Sequence, residues 1–193
     1  MTADDQRLRR ARRGDVDAFN ELIAEHQALV YNVCHQMLGS REEAEDASQE
    51  AFISAWRHFG SLRGDAFRPW LLRIASNTCR DVLRRRKRRP QTSLDVALDE
   101  GMPDPPDEAP SPEKVLLTVE LRGQIQRALI ALPEDQRLAV VLCDIEGLDY
   151  GEIAAVIKTS LGTVKSRISR GRARLRELLK GQAEPLTGAG RPE

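Results

Sequence analysis

The sequence predicts an all-α protein built as two small helical domains joined by an acidic flexible linker, the C-terminal one containing a helix-turn-helix. Three observations predict this. Apolar residues recur at steps of three and four through nearly every segment, and no segment alternates strongly enough for a strand. Helix-capping sequences stand at the starts of these segments. Residues 90–112 break the pattern, with six of the ten prolines, six acids and no Lys or Arg. Such a stretch has too little apolar surface to offset its ordering entropy. It divides a domain at 1–89 from a second at 113–180, and a short flexible tail at 181–193 carries helix-breaking Gly and Pro.

Asp15–Leu38 forms the first helix, placing Val16, Phe19, Ile23, Val30, Val33, Cys34 and Met37 inward, and Gly39 ends it. Ser40-Arg41-Glu42-Glu43 reads as a capping box. The helix it opens buries Ala44, Ala47, Ala51, Phe52, Ala55, Trp56 and Phe59. A loop over Gly60–Asp65 leads to a helix from about Pro69 to Arg88, with Leu71, Ile74, Ala75, Thr78 and Val82 on its apolar face. After the linker, Ser111 caps a helix with Pro112 at its first position. Leu117, Leu121, Ile125, Leu129 and Leu132 point inward, and Pro133 breaks it. Leu138, Val141, Leu142 and Ile145 mark a further helix ended by Gly147. Asp149 and Glu152 form another cap, and Ser160 caps a last helix whose Val164, Ile168, Leu175 and Leu179 face the core.

Charge is balanced overall, 30 basic against 30 acidic residues, but strongly segregated. Gly60–Arg89 has ten Lys/Arg and two acids; Thr163–Lys180 has seven Lys/Arg and one acid. Along 73–88, Arg73, Asn77, Arg80, Arg84, Lys87 and Arg88 recur at steps of three or four. That is a basic stripe with one amide in it, suited to phosphates plus a base edge, where the bland alternative is a solvated face. Trp56, Trp70 and Phe67 could stack on bases, but tryptophans at helical spacing are assigned to the core.

Tyr150–Ser169 fits a helix-turn-helix, with Ala154 and Val164 ten apart and Lys158 where such turns usually have glycine. Ser166, Ser169 and Arg170 then point outward with Lys165 at the flank, while Arg172, Arg174 and Arg176 can hold phosphate.

Other classes are excluded or find little support. No apolar run is long enough to span a bilayer, so no membrane insertion is expected. The five arginines of residues 1–13 have no apolar stretch behind them, unlike a secretory signal. Cys34, Cys79 and Cys143 are scattered without a CxxC, against a disulfide framework or zinc module. His26, His35 and His58 match no metal or catalytic spacing, and there is no phosphate-binding glycine loop. The expectation is a cytoplasmic, non-enzymatic protein without metal or cofactor. A two-domain regulator acting on duplex DNA alone, or an RNA-binding or nucleoid-associated protein using Arg84–Arg89, would also fit these residues.

Three segments go further: Asp46-Ala47-Ser48-Gln49-Glu50-Ala51-Phe52, Phe67-Arg68-Pro69-Trp70-Leu71-Leu72-Arg73-Ile74-Ala75-Ser76-Asn77, and Gly162-Thr163-Val164-Lys165-Ser166-Arg167. In this order, around an acidic linker, they resemble the bacterial RNA polymerase sigma factors of the extracytoplasmic-function group, over about residues 7–180. The resemblance implies a factor that binds core RNA polymerase and directs promoter-specific initiation, with an anti-sigma factor as a further partner. It implies that Asp46, Gln49 and Glu50 dock on the β′ clamp and that the second domain meets the β flap. It also implies that Arg63 and Asp65 of the 61–66 loop, with Arg73, Asn77, Arg80, Arg84, Lys87 and Arg88, contact the melted minus-ten element. Lys165, Ser166, Ser169, Arg170, Arg172 and Arg174 are implied at the minus-thirty-five element of promoter DNA.

Overall fold

The structure, a computed structural model, describes residues 3–64, 66–88 and 112–183. Eight α-helices run through them: α1 (Ala3–Arg12), α2 (Val16–Leu38), α3 (Arg41–His58), α4 (Phe67–Arg88), α5 (Pro112–Ile130), α6 (Glu134–Val140), α7 (Tyr150–Ile157) and α8 (Leu161–Ala183). A 3-10 turn at Phe59–Ser61 and a π-turn at Val141–Ile145 complete the elements, and there is no strand among the described residues. The all-α expectation holds. The linker, Asp65, Ser111, the Leu117 side chain and the tail from 184 lie outside the described residues. Helix α8 runs to Ala183, past the break expected at Gly181.

Local chemistry sets the helix ends. The Asp15 carboxylate accepts from the Ala18 N–H at 3.0 Å and starts α2. Gly39 ends it in the left-handed region at φ 75°, its N–H returning to the His35 carbonyl. Asp149 and Glu152 form a complete capping box on α7. The box expected at Ser40 is only half formed: Ser40 accepts from the Glu43 N–H, while the Glu43 carboxylate pairs with Arg86. Helix α1 was not expected. Its Leu8 and Ala11 are buried against α2, and Arg7 reaches Glu21 and Glu25 on that helix.

Helix α2 is the axis of the N-terminal unit, packed by α1, α3 and α4. Its Phe19, Leu22, Val30, Val33, Met37 and Leu38 meet Leu71, Leu72, Ala75 and Leu83 of α4 in the core. Each fully buried leucine there contributes about 1.5–3 kcal/mol. Cys34 and Cys79 are buried in this core, and all three cysteines are free thiols. The Cys79 thiol is pushed up by its hydrogen bond with Cys34 and by burial, so it is held protonated and unreactive.

In the C-terminal unit α8 packs against α5, α6 and α7. Gly171 permits that closeness: a Cβ there would lie 2.6 Å from Val140 Cγ2 and 3.3 Å from the Gln136 carbonyl oxygen. Gly171→Ala is expected to destabilise by about 1–3 kcal/mol through overpacking. Urea denaturation checks this, and an unchanged or raised midpoint would contradict it.

Several inward assignments are corrected. Trp56 is 49% exposed, its ring in a T-shaped contact with Phe19, because α3 buries a stripe of Ala44, Ala47, Ala51 and Ala55. One residue beyond Ala55 lies about 100° further round the helix. Leu121 and Ile125 are 54% and 38% exposed, because α5 turns Gln126, Ala128 and Leu129 inward instead. Val16 faces solvent in the first turn of α2. Ile145 does so because the wider π-turn shifts the register that continued α-helix would keep.

The two units also pack on each other, which the sequence did not foretell: α4 meets α7, and α2 meets α5 and α6. Buried residues of both belong to one continuous core cluster.

Candidate nucleic-acid interface

Helix α4 carries the basic stripe because its other side is consumed by the core. Phe67, Trp70, Leu71, Leu72, Ala75, Ser76, Cys79 and Leu83 are all buried. Trp70 is therefore core, as expected. Asn77, Arg84, Lys87 and Arg88 are exposed, and Arg73 and Arg80 are half-buried. The structure thus brings these residues onto one face, with exposed Arg63 in the preceding loop. Asp65 lies outside the described residues.

Half of that stripe is already held in ion pairs. Arg80 Nη2 is 3.1 Å from Asp135 Oδ1, and Lys87 Nζ is 2.6 Å from Glu134 Oε1, both acids opening α6. Arg84 pairs along its own helix with Asp81 at 3.0 Å. Arg68 Nη2 donates to the Glu146 carbonyl at 2.9 Å. Burial pushes the Glu146 carboxyl up, with Arg68 opposing.

Arg86 was not among the stripe residues, and it points the other way. It donates to Glu43 at 2.9 Å and to the Leu38 carbonyl at 3.1 Å, tying α4 to the end of α2.

On the opposite side of α4, Asp46, Gln49 and Glu50 stand exposed on α3. They edge an open groove of about 430 Å³ between α3 and α4, lined also by Ile53, Thr78, Val82 and Arg85. Exposed Ile53 and Trp56 extend an apolar strip beside it. A carboxylate edge with an apolar floor suits a basic, partly apolar protein surface more than DNA.

The helix-turn-helix is formed by α7 and α8. Lys158 stands at the turn in the left-handed region, φ 50° and ψ 58°, the conformation for which glycine is the usual residue. Ser160 accepts from the Thr163 N–H at 3.2 Å, and Val164 and Ile168 are buried. Lys165, Ser169 and Arg170 are exposed, with Ser166 half-buried beside them. Arg170 folds back on the Ser166 side chain and donates to the Ser166 carbonyl at 3.3 Å.

Arg172 is the exception among the expected phosphate contacts. Its guanidinium is taken by Asp144, with Nε–Oδ2 at 3.0 Å, and this pairing holds its proton more tightly than usual. Arg174 is exposed on α8.

Comparison with known proteins gives a consistent set. The model of Sigma-70 region 2 matches residues 22–89, and that of Sigma-70 region 4 matches 122–175. The chain is 41% identical over 162 residues to the ECF RNA polymerase sigma factor SigE of Mycolicibacterium smegmatis. That match covers 84% of this chain, which spans 62% of that relative's length. It is 39% identical over 183 residues to the ECF RNA polymerase sigma-E factor of Escherichia coli K12, covering 93% of each. Among solved structures it is similar to the sigma factor RpoE of Bartonella quintana in complex with the anti-sigma factor NepR. There the identity is 28% and the TM-score 0.65, over 84% of this chain and 96% of that one.

Proposed function

The chain belongs to the extracytoplasmic-function sigma factors of bacterial RNA polymerase, and from that membership we propose how its surfaces divide the work. It is an initiation factor that binds core polymerase and directs promoter-specific transcription. Likeness to the Escherichia coli sigma-E factor over 93% of both chains carries this reading. Such a factor works in the cytoplasm, where the polymerase is, and contributes binding in place of catalysis.

Residues 1–89 form the unit for polymerase and the minus-ten element, 90–112 the linker, and 113–180 the unit for the minus-thirty-five element. Asp46, Gln49 and Glu50 dock on the β′ clamp, and the C-terminal unit docks on the β flap. Arg73, Asn77, Arg80, Arg84, Lys87 and Arg88 track the melted strand. Arginines and lysine hold phosphates without reading sequence, whereas the Asn77 amide can pair with a base edge. Lys165, Ser166, Ser169 and Arg170 face the upstream bases, with Arg174 on the backbone. The likeness to RpoE held by NepR supports an anti-sigma factor as a further partner.

Run-off transcription with purified core polymerase, on promoters randomised across the upstream element, tests the reading. The parent is expected to select a defined upstream sequence. Arg170→Ala should relax one or two of its positions, since a good arginine–guanine pair is worth about 1–3 kcal/mol of discrimination. Arg174→Ala should lower output without relaxing preference. No polymerase-dependent start sites with the parent would overturn the assignment, and unaltered preferences in Arg170→Ala would remove that residue from the readout.

A further inference from the structure

We propose that Arg12 of α1 is a positioning residue for promoter selection. Its guanidinium donates to the Gly64 carbonyl and so sets the tip of the loop that presents Arg63 to the melted minus-ten element. The proposal rests on reading that loop, together with Asn77, as part of the minus-ten surface.

Three features converge on it. The feet of the loop are fixed in the core. Phe59 and Phe67 are buried with ring centroids 6.3 Å apart, and Phe59 also meets Phe19 of α2 at 5.0 Å. Buried Leu62 returns its N–H to the Phe59 carbonyl at 3.0 Å. The tip differs in kind. Arg63 and Gly64 are exposed, Gly64 turns the chain in the left-handed region at φ 68°, and a Cβ there would meet nothing within 4 Å. The helix that reaches this tip is itself held firmly. Leu8 and Ala11 of α1 are buried, and Arg7 pairs with Glu25 of α2. Arg10 Nε is 2.8 Å from Oδ2 of Asp15, the residue that caps α2. Arg12 therefore reaches from a fixed base to a part of the loop that core packing does not fix.

The chemistry is that of pre-ordering. A hydrogen bond from a guanidinium to a carbonyl is charge-assisted and directional, so it limits where the tip can stand. A loop ordered before the strand arrives loses less entropy on binding it. A base drawn out of its stack is then read by contacts already in register. A basic last turn also favours the helix dipole, the ordinary reason to find Arg9, Arg10 and Arg12 there. That reason accounts for the charge but not for a bond to a carbonyl 52 residues on.

The test pairs two measurements on the full-length chain. Holoenzyme assembled with core polymerase transcribes a promoter library randomised across the minus-ten element, and trypsin nicking after Arg63 is followed in the free chain by mass spectrometry. Arg12→Ala is compared with Arg13→Ala, which removes the same charge one residue on, and with Arg12→Lys, which keeps a donor. Arg12→Ala should speed the Arg63 nick about three- to tenfold, in line with the net worth of one hydrogen bond. It should weaken preference at one or two minus-ten positions by a similar factor and leave upstream preference unchanged. Arg12→Lys should recover part of both effects, and Arg13→Ala should show neither. An unaltered nicking rate would overturn the brace. So would a faster nick with intact preference, where Asn77→Ala does relax it. A uniform loss of output with a flatter salt dependence and intact preference would make Arg12 a phosphate contact, and overturns the proposal too. If Arg12→Ala, Arg63→Ala and Asn77→Ala all leave preference intact, the minus-ten reading of this surface falls, and with it any role for the brace in selection.

Discussion

Arg137→Met should lower the stability of the protein by about 2–4 kcal/mol, one of the two largest effects expected of any change considered. Arg137 is only 5% exposed, yet its guanidinium donates to three backbone carbonyls. Two, Ile130 and Leu132, are left unpaired by the end of α5; the third, Met37, belongs to α2 in the other unit. Helix C-termini leave such carbonyls without partners, and here one side chain serves both ends. Burial lowers the guanidinium's hold on its proton, though arginine remains charged at any ordinary pH. Methionine fills similar volume but donates nothing, so each buried carbonyl carries about 1–3 kcal/mol of desolvation, partly offset because no charge is buried. Lysine reaches fewer of the three and should recover only part of the loss. Urea denaturation of the three proteins checks the order parent, lysine, methionine. A methionine variant within about 0.5 kcal/mol of the parent, the range of ordinary surface changes, would mean the three bonds add nothing net.

Arg137 also marks where sequence reasoning stops. Helix ends are written locally, and they were legible: Asp15, Gly39, Pro133, Asp149 and Ser160 act on backbone groups within four residues. The turn at Lys158 was placed correctly even without glycine, because the apolar spacing on either side fixes it. The exposed positions of Asp46, Gln49, Glu50, Lys165, Ser169 and Arg170 follow from period alone. Partners separated by long stretches of chain leave no such signal. Arg137 lies 100 residues from Met37, and Arg68 lies 78 from Glu146. The run 84–89 reads as uniformly basic, yet Arg86 caps α2, Lys87 crosses to α6 and Arg84 stays on its own helix. Trp56 misled because size suggested burial, whereas the small Ala stripe beside it lets α3 approach α2 closely. Gln126 was passed over because a polar side chain is assigned outward by default; its bond to the His35 carbonyl is what turns α5.

The second large effect concerns the polymerase. Asp46→Arg combined with Glu50→Arg should weaken binding to core polymerase about a hundredfold. Both carboxylates are exposed on one edge of the α3–α4 groove, a turn apart, with apolar Ile53 one turn on from Gln49. A surface that accepts this edge must offer cations to it. Two arginines would then stand against those cations, and like-charge contacts in an interface cost several kcal/mol, each 1.4 kcal/mol being tenfold in affinity. The fold should tolerate the change, because exposed helix positions shift stability by about 0.5 kcal/mol or less. The guanidinium introduced by Asp46→Arg even gains Glu42, one turn back, as a helical partner. The neutral pair Asp46→Asn, Glu50→Gln should fall between, since it removes attraction without adding repulsion. Fluorescence competition for core polymerase measures all three, with circular dichroism confirming equal helix content. A rival explanation separates cleanly, because a folding defect would lower helix content. Full affinity in the double arginine variant, with its fold intact, would place the polymerase contact on another face of the N-terminal unit.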